Sequence, residues 1–287
     1  MPWGALRVEV PESLGDEPIG RLALLGRGAH LIPSGDGRTT LRIYLSSPAR
    51  ARSAEPEARR LLESLGLAEA RESLVVEQVE DESWVERYRA SLKPFGLGTG
   101  FIVFPDGKRR PAGERRGILL VPGRAFGTGE HATTRLCAEE LERRVTAGSR
   151  WLDLGCGTAV LSIVAHHNGA GTVQAVDVDP EATAVATEVL RANDLEGRIE
   201  IVRGGLEAPT RNDWDGIVAN IHAHLFLEAA GRIACLLAGG GWLIASGFTV
   251  DDAAAVREAL ADAGLRTVAQ RTREPWALLV AGRAGQP

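Results

Sequence analysis

A chain of 287 residues with 44% hydrophobic content is long enough to bury the cores of two domains. Its net charge of −5 argues against a globally basic binder of nucleic acid or anionic membranes. Three widely spaced cysteines argue against a disulfide framework and for a reducing cytoplasm; no window approaches the ~20 apolar residues of a membrane span, and the charged Met1–Val10 stretch is not a signal peptide.

The first 80 residues read as a small α+β module. Ala5–Val10 alternates as a strand, and Glu12–Leu25 can form an amphipathic helix. Ala29–Pro33 and Thr39–Leu45 are strands joined by the turn Ser34-Gly35-Asp36-Gly37. Pro56–Leu65 reads as a helix with Leu61, Leu62 and Leu65 on one face, and Ser73–Val79 as a last strand. The order βαββαβ is that of a ferredoxin-like domain. It holds no paired carboxylates or metal-ligand spacing, and His30 stands alone. A purely structural role and a role in substrate capture both fit.

Asp81–Leu92 predicts a linker helix, with Trp84 and Tyr88 at i, i+4 and a stop at Lys93-Pro94. Phe95–Phe104 and Gly117–Val121 are expected strands around the basic stretch Asp106–Arg116. That stretch reads as a solvated hairpin tip or a contact for an acidic or RNA-bearing partner. Gly123–Thr134 is a Gly- and Thr-rich loop entering a helix. Its glycines permit close backbone approach, and its hydroxyls can bond a ligand. His131 in this loop is either a helix cap or a polar site contact.

Trp151–Leu154 is an apolar run that stops at Gly155-Cys156-Gly157, after which Ala159–Asn168 is helical. This is the strand–turn–helix of a doubly wound sheet, in which glycines admit a ligand and the helix N-terminus presents N–H groups. The next apolar run ends on Asp177, ~20 residues on, where an acidic side chain grips a ribose diol. A dinucleotide turn wants a small third residue, and Val160 is large and branched. Pro180–Asn193 is the next helix and Ile199–Val202 the third strand. No acidic residue ends that strand to meet an adenine amine, which leaves backbone or Glu207. His166-His167, late in a helix, fits capping and surface exposure better than metal ligation.

Asp215–Asn220 is the fourth strand, and Asn220 stands at the tip where such folds hold chemistry. Its amide can orient an attacking amine; the plain alternative is an Asn ending a strand in a turn. No Pro-Pro-aromatic run follows, which counts against a nucleic-acid base as substrate. His222 and His224 lack a third ligand of suitable spacing. A helix His224–Leu237, strand Trp242–Ser246, helix Asp251–Ala263 and strands Leu265–Thr272 and Trp276–Ala281 complete seven strands, the last pair antiparallel.

Three stretches together carry a family resemblance: Val121–Cys137 (VPGRAFGTGEHATTRLC), Asp153-x-Gly155-x-Gly157, and Val218-Ala219-Asn220-Ile221. Their order and spacing resemble the ribosomal protein L-eleven methyltransferase family, a group of class I S-adenosylmethionine-dependent protein lysine methyltransferases. Relatives of that family include the lysine methyltransferase of the electron-transfer flavoprotein beta subunit. The likeness runs from about Glu80 to the C-terminus. It departs from the family at Glu130 and Ala132, where Thr and Pro are usual, at His222-Ala223-His224, where Leu-Ala is usual, and at Ala159, where a glycine is usual. The first two departures bear on substrate choice more than on the cofactor.

The resemblance implies an α/β fold: a class I methyltransferase seven-stranded doubly wound sheet with an N-terminal ferredoxin-like α+β domain. Residues 1–80 form the substrate-recognition domain, 81–117 a linker helix and hairpin, and 118–287 the catalytic domain. S-adenosyl-L-methionine is the implied cofactor, with Gly155, Gly157, Asp177, Thr134 and Asn220 as contacts and Phe126, Gly127 and Thr128 in a lid. Asn220 is the implied catalytic residue, and no metal is expected. The partner is a ribosomal protein free of the ribosome, met by a cytoplasmic monomer without nucleic acid or membrane. Rival readings are a small-molecule or nucleic-acid methyltransferase, a nicotinamide oxidoreductase, and a cofactor-binding module without turnover.

Overall fold

The computed structural model describes residues 3–26, 29–34, 37–45, 47–79, 93–121 and 130–283. The linker helix expected at 81–92 and the lid residues Phe126, Gly127 and Thr128 lie outside these. The chain divides into two compact units, residues 1–90 and 91–287.

The first unit runs β1 (Trp3–Pro11), α1 (Asp16–Ala23), β2 (Ala29–Pro33), β3 (Arg38–Leu45), α2 (Pro48–Ser64), α3 (Ala68–Glu72) and β4 (Val75–Val79). The strands form an antiparallel sheet of order β2-β3-β1-β4. With α1 and α2 this is the expected ferredoxin-like arrangement. Alternation fills the core: Leu6, Val8 and Val10 from β1 and Leu41, Ile43 and Leu45 from β3 meet Leu22, Ala51, Ala58 and Leu62 from the helices. Helix α2 begins eight residues before the expected Pro56. Ser47 caps it by accepting the Arg50 N–H at 3.2 Å, Pro48 occupies the first turn, and Pro56 sits inside. An interior proline costs roughly 3 kcal/mol. Here the face that buries Ala51, Ala58 and Leu62 carries the helix through it.

The second unit opens with a three-stranded sheet, β5 (Phe95–Leu97), β6 (Phe101–Phe104) and β7 (Arg116–Leu119). β5 and β6 are antiparallel, but β6 and β7 run parallel, so the basic stretch between them is a crossover and not a hairpin tip. Three of its four arginines are anchored. Arg110 chelates Asp106, Arg109 reaches Asp194 at 3.3 Å, and Arg116 donates to the His167 carbonyl at 2.8 Å. The last two place cations at the C-terminal ends of two helices, where the macrodipole favours them.

The remaining elements alternate: α4 (Ala132–Arg144), β8 (Arg150–Leu154), α5 (Val160–His167), β9 (Thr172–Asp177), α6 (Pro180–Ala192), β10 (Glu200–Arg203), β11 (Trp214–Asn220), α7 (Ala223–Leu236), β12 (Leu237–Thr249), α8 (Ala253–Asp262), β13 (Leu265–Arg273) and β14 (Trp276–Arg283). The seven strands are ordered β10-β9-β8-β11-β12-β14-β13, and β14 is antiparallel to both neighbours. Both faces are covered, so successive residues of β11 serve opposite layers: Val218 packs with the α4–α6 side, Ile217 and Ala219 with α7 and α8. Strand order reverses direction between β8 and β11. That switch point opens a crevice at their C-terminal ends, where doubly wound sheets bind ligands.

Candidate cofactor and methyl-transfer site

The crevice is built by backbone geometry first. Gly155 and Gly157 adopt left-handed φ values of +70° and +54°. The N–H groups of Gly155 and Cys156 both donate to the Val176 carbonyl, at 2.8 and 3.1 Å. A Cβ at Gly155 would lie 2.6 Å from Ile221 Cγ2, so only glycine allows the β8 turn to touch the residue after Asn220. Ala159 keeps the turn intact by adopting φ +59°, the left-handed conformation a glycine would hold freely. That conformation costs an alanine on the order of 1–2 kcal/mol, and its methyl is fully buried.

Asp177 ends β9 half-buried. One carboxylate oxygen accepts the Gly157 N–H at 3.0 Å and the other the Asp179 N–H at 3.0 Å. Asp179 in turn caps α6 through the Glu181 N–H at 2.9 Å. The carboxylate expected to hold a ribose is therefore locked against the glycine turn, and each oxygen keeps a second lone pair for a hydroxyl. The exposed Glu207 accepts the Gly205 N–H at 2.8 Å, which holds its carboxyl below the usual range.

Across the crevice, Asn220 Nδ2 donates to Thr134 Oγ1 at 3.3 Å. Thr134 is buried in the first turn of α4; Asn220 is half-buried at the tip of β11. Behind them, Ile221 donates to the Ser246 carbonyl at 3.0 Å. His131 is the helix cap of the two roles open to it. Its Nδ1 accepts the Thr133 N–H at 3.4 Å and lies 2.7 Å from Thr133 Oγ1. Its ring meets Trp276 edge-on at 4.5 Å, and burial depresses its pKa. His222 and His224 stack at 5.8 Å on the exposed start of α7.

Sequence reasoning left one residue of the site without a role. Asp153, inside the apolar strand β8, is 2% exposed and accepts the Ser162 hydroxyl at 2.6 Å. Burial pushes its carboxyl up to about 7, opposed by the Ser162 hydrogen bonds and aided by Asp177. The same burial raises the thiols of Cys137 and Cys156. The signal was a lone acid in the run Trp151-Leu152-Asp153-Leu154, where a parallel strand is otherwise apolar.

A glycine turn, an acidic residue at the second strand's tip, and a buried carboxylate below the turn suit a nucleoside cofactor with a cationic end. The family model for ribosomal protein L11 methyltransferase (PrmA) matches residues 40–284. The chain belongs to this family.

Its similarity to curated members of the L11 methyltransferase family is even. The protein of Symbiobacterium thermophilum is 38% identical over 204 residues, covering 71% of this chain and 66% of that protein. That of Thermus thermophilus is 38% identical over 210 residues, covering 73% and 81%. That of Carboxydothermus hydrogenoformans is 32% identical over 246 residues, covering 85% and 79%. The chain thus spans just under two thirds of the Symbiobacterium relative, and 63% of the one from Gloeobacter violaceus. Among solved structures, a ribosomal protein L11 methylase from Lactobacillus delbrueckii subsp. bulgaricus superposes with a TM-score of 0.63 at 28% identity. The match covers 67% of this chain and 99% of that one. The seven-stranded sheet is therefore the class I methyltransferase fold.

Proposed function

We propose that this chain is an S-adenosylmethionine-dependent methyltransferase that N-methylates lysine amines of ribosomal protein L11. The observation that carries the reading is the contact between Asn220 and Thr134 at the switch point, on the same sheet edge as the Gly157–Asp177 pair. The family membership supplies the reaction type and the substrate class. The cofactor supplies an electrophilic sulfonium methyl. The chain's residues do the rest: Asp177 holds the ribose, Gly155 and Gly157 admit the cofactor to the backbone, and Thr134 contacts it from the α4 side, with Phe126, Gly127 and Thr128 as the lid.

Asn220 orients the amine. With its Nδ2 turned to Thr134, its Oδ1 is the group that accepts an amine N–H along the line of attack. In-line displacement needs little covalent help, so positioning and exclusion of water carry most of the rate. A lysine with an ordinary pKa of about 10.4 must arrive neutral, and a dry site beside a sulfonium drives its proton off. The N-terminal ferredoxin-like unit presents the substrate, a ribosomal protein free of the ribosome, to a monomeric enzyme in the cytoplasm. No nucleic acid or membrane takes part. No helix among the described residues is long and apolar enough to cross a membrane.

The test is to incubate the pure protein with methyl-labelled S-adenosylmethionine and a same-species lysate. Label on one small ribosomal protein, at lysine, supports the reading. Label on another protein moves the target and points to Glu130, Ala132, His222 and His224. Bound cofactor without label favours a module that has lost turnover.

A further inference from the structure

β11 ends at Asn220, so the side-chain amide is only as well placed as the Ile221 peptide that follows it. That peptide is flanked by two glycines. On one side stands the β8 turn, where a Cβ at Gly155 would lie 2.6 Å from Ile221 Cγ2. On the other stands β12: Asn220 is in register with Ser246, and the Ile221 N–H donates to the Ser246 carbonyl at 3.0 Å. Directly after Ser246 the pairing of β12 with β14 slips. Ser246 pairs with Leu278 and Phe248 with Ala277, which leaves Gly247 as the extra residue of a bulge. Gly247 has φ +96°, a conformation that glycine adopts freely. A Cβ there would lie 2.7 Å from the Ile221 nitrogen and closer still to its carbonyl oxygen. These are backbone atoms, which have no rotamer through which to give way. The bulge is also anchored to the helix that Asn220 touches. Ser246 is fully buried; its hydroxyl donates to the Ala277 carbonyl at 2.8 Å and lies against the Cys137 thiol. Cys137 follows Thr134 by one turn of α4. The contacts close a ring: Thr134 to Asn220, Ile221 to Ser246, and Ser246 back to α4.

We propose that Gly247 is a positioning residue for methyl transfer: its bulge admits the Ile221 peptide against β12 and thereby holds Asn220 on Thr134. The inference rests on the reading of Asn220 given above and adds to it the element that fixes the amide. Bulges recur beside active sites because they re-aim a side chain that a regular ladder would leave elsewhere. Here the bulged strand aims a residue of its neighbour. Any side chain at position 247 pushes the Ile221 peptide away from β12, and the Asn220 amide, one peptide bond upstream, moves with it. Gly247 itself touches no reacting atom.

The experiment compares Gly247→Ala, Ser246→Ala and, as a control, Gly264→Ala in the full chain. Gly264 also has a left-handed φ, +80°, but a Cβ there meets nothing within 4 Å, so its variant carries the backbone cost without the wedge. The first readout is the Asn220 side-chain amide signal in nitrogen–proton NMR spectra, assigned by its loss in Asn220→Asp. The second is single-turnover methyl transfer from labelled S-adenosylmethionine to purified ribosomal protein L11, measured beside the calorimetric affinity for the cofactor. Gly247→Ala is expected to shift the amide signal and to slow transfer about 100-fold, while cofactor affinity falls far less. Ser246→Ala should move both readouts in the same direction by less. Gly264→Ala should move neither, although both glycine variants lower the melting temperature. An Asn220 signal unmoved in Gly247→Ala, or moved equally by Gly264→Ala, overturns the proposal. If Gly247→Ala does not fold, Ser246→Ala decides: a shifted signal upholds the proposal and an unmoved one overturns it. A wild-type chain that binds the cofactor but labels no lysine overturns the methyl-transfer reading instead, and the amide signal still decides the positioning.

Discussion

The side-chain amide of Asn220 meets the hydroxyl of Thr134 at 3.3 Å, joining the tip of β11 to the first turn of α4 across 86 residues of chain. Each had been singled out from a different motif, and the fold makes them one contact. Asn220→Ala is expected to lower single-turnover labelling about 100-fold, as misplacement of an attacking group does. Cofactor affinity should fall far less, since Asn220 is one implied cofactor contact among several. Thr134→Val should act in the same direction, and the double variant should fall short of the product of the two losses, with a coupling of roughly 0.5–3 kcal/mol. Fully additive effects would show that the contact does not set the amide's orientation.

Asp177→Ala removes a carboxylate that already holds Gly157 and Asp179 and, on the present reading, two ribose hydroxyls. Hydrogen bonds to a charged group contribute about 1.5–3 kcal/mol each, so cofactor affinity should drop about 100-fold or more. The melting temperature should move by only a few degrees, because the residue is half-buried at a strand tip. Calorimetry beside a thermal scan checks both halves.

Glu140 is 1% exposed, yet it gathers Arg143 at 2.7 Å, Arg144 at 3.1 Å and Arg271 at 3.3 Å. Arg144 also lies over the Trp242 ring at 4.3 Å. The carboxylate thus ties α4 to β13 and, through Arg144, to β12. Glu140→Ala leaves three guanidiniums that are partly open to water, so the cost is expected below that of a fully buried pair, about 2 kcal/mol. For a unit of this size that corresponds to a melting temperature roughly 4–8 °C lower. A change under 1 °C would assign the cluster no structural weight.

Asp153 also makes a stability prediction with a definite sign. Burial pushes its folded carboxyl up to about 7 against the ordinary aspartate value of 3.8, so between those values the folded chain holds a proton the unfolded chain has lost. Stability from this group is therefore present at low pH and declines as pH rises from about 4 to 7, by an amount of order 4 kcal/mol, then levels off. The difference in unfolding free energy between wild type and Asp153→Asn, measured from pH 5 to 8, should follow that decline. A difference independent of pH would show that Asp153 is already ionised without the cofactor.

The turn Gly98–Gly100 is held by one side chain of α4. Glu142 accepts the N–H of Thr99 at 2.9 Å, its hydroxyl at 3.0 Å and the N–H of Gly100 at 2.7 Å. Glu142→Ala should speed amide exchange in β5 and β6 well before it lowers global stability, a local loosening.

The seven strands, the glycine turn, Asp177 and the βαββαβ module were legible because each rests on local chemistry. Period-2 alternation, an apolar run ending in Gly-x-Gly, and a strand ending in an acid are written within a few residues. The true start of α2 is not legible, because Pro56 reads locally as the first turn of a helix, and the packing of Ala51, Ala58 and Leu62 carries the helix through it. The parallel pairing of β6 with β7 was illegible for a similar reason: which strand edge β7 takes is decided by partners, and the docking of Arg109 and Arg116 on two helix ends fixes the crossover between them. By itself the sequence determined the fold class, the glycine turn and the family, since those follow from short-range pattern and spacing. Only the tertiary structure decided that Asn220 bonds Thr134, that His131 caps α4 against Trp276, and that Asp153 is buried under the turn against Ser162. Those facts depend on which elements meet in space, and burial, which sets the state of a carboxyl, is a property of the assembled core.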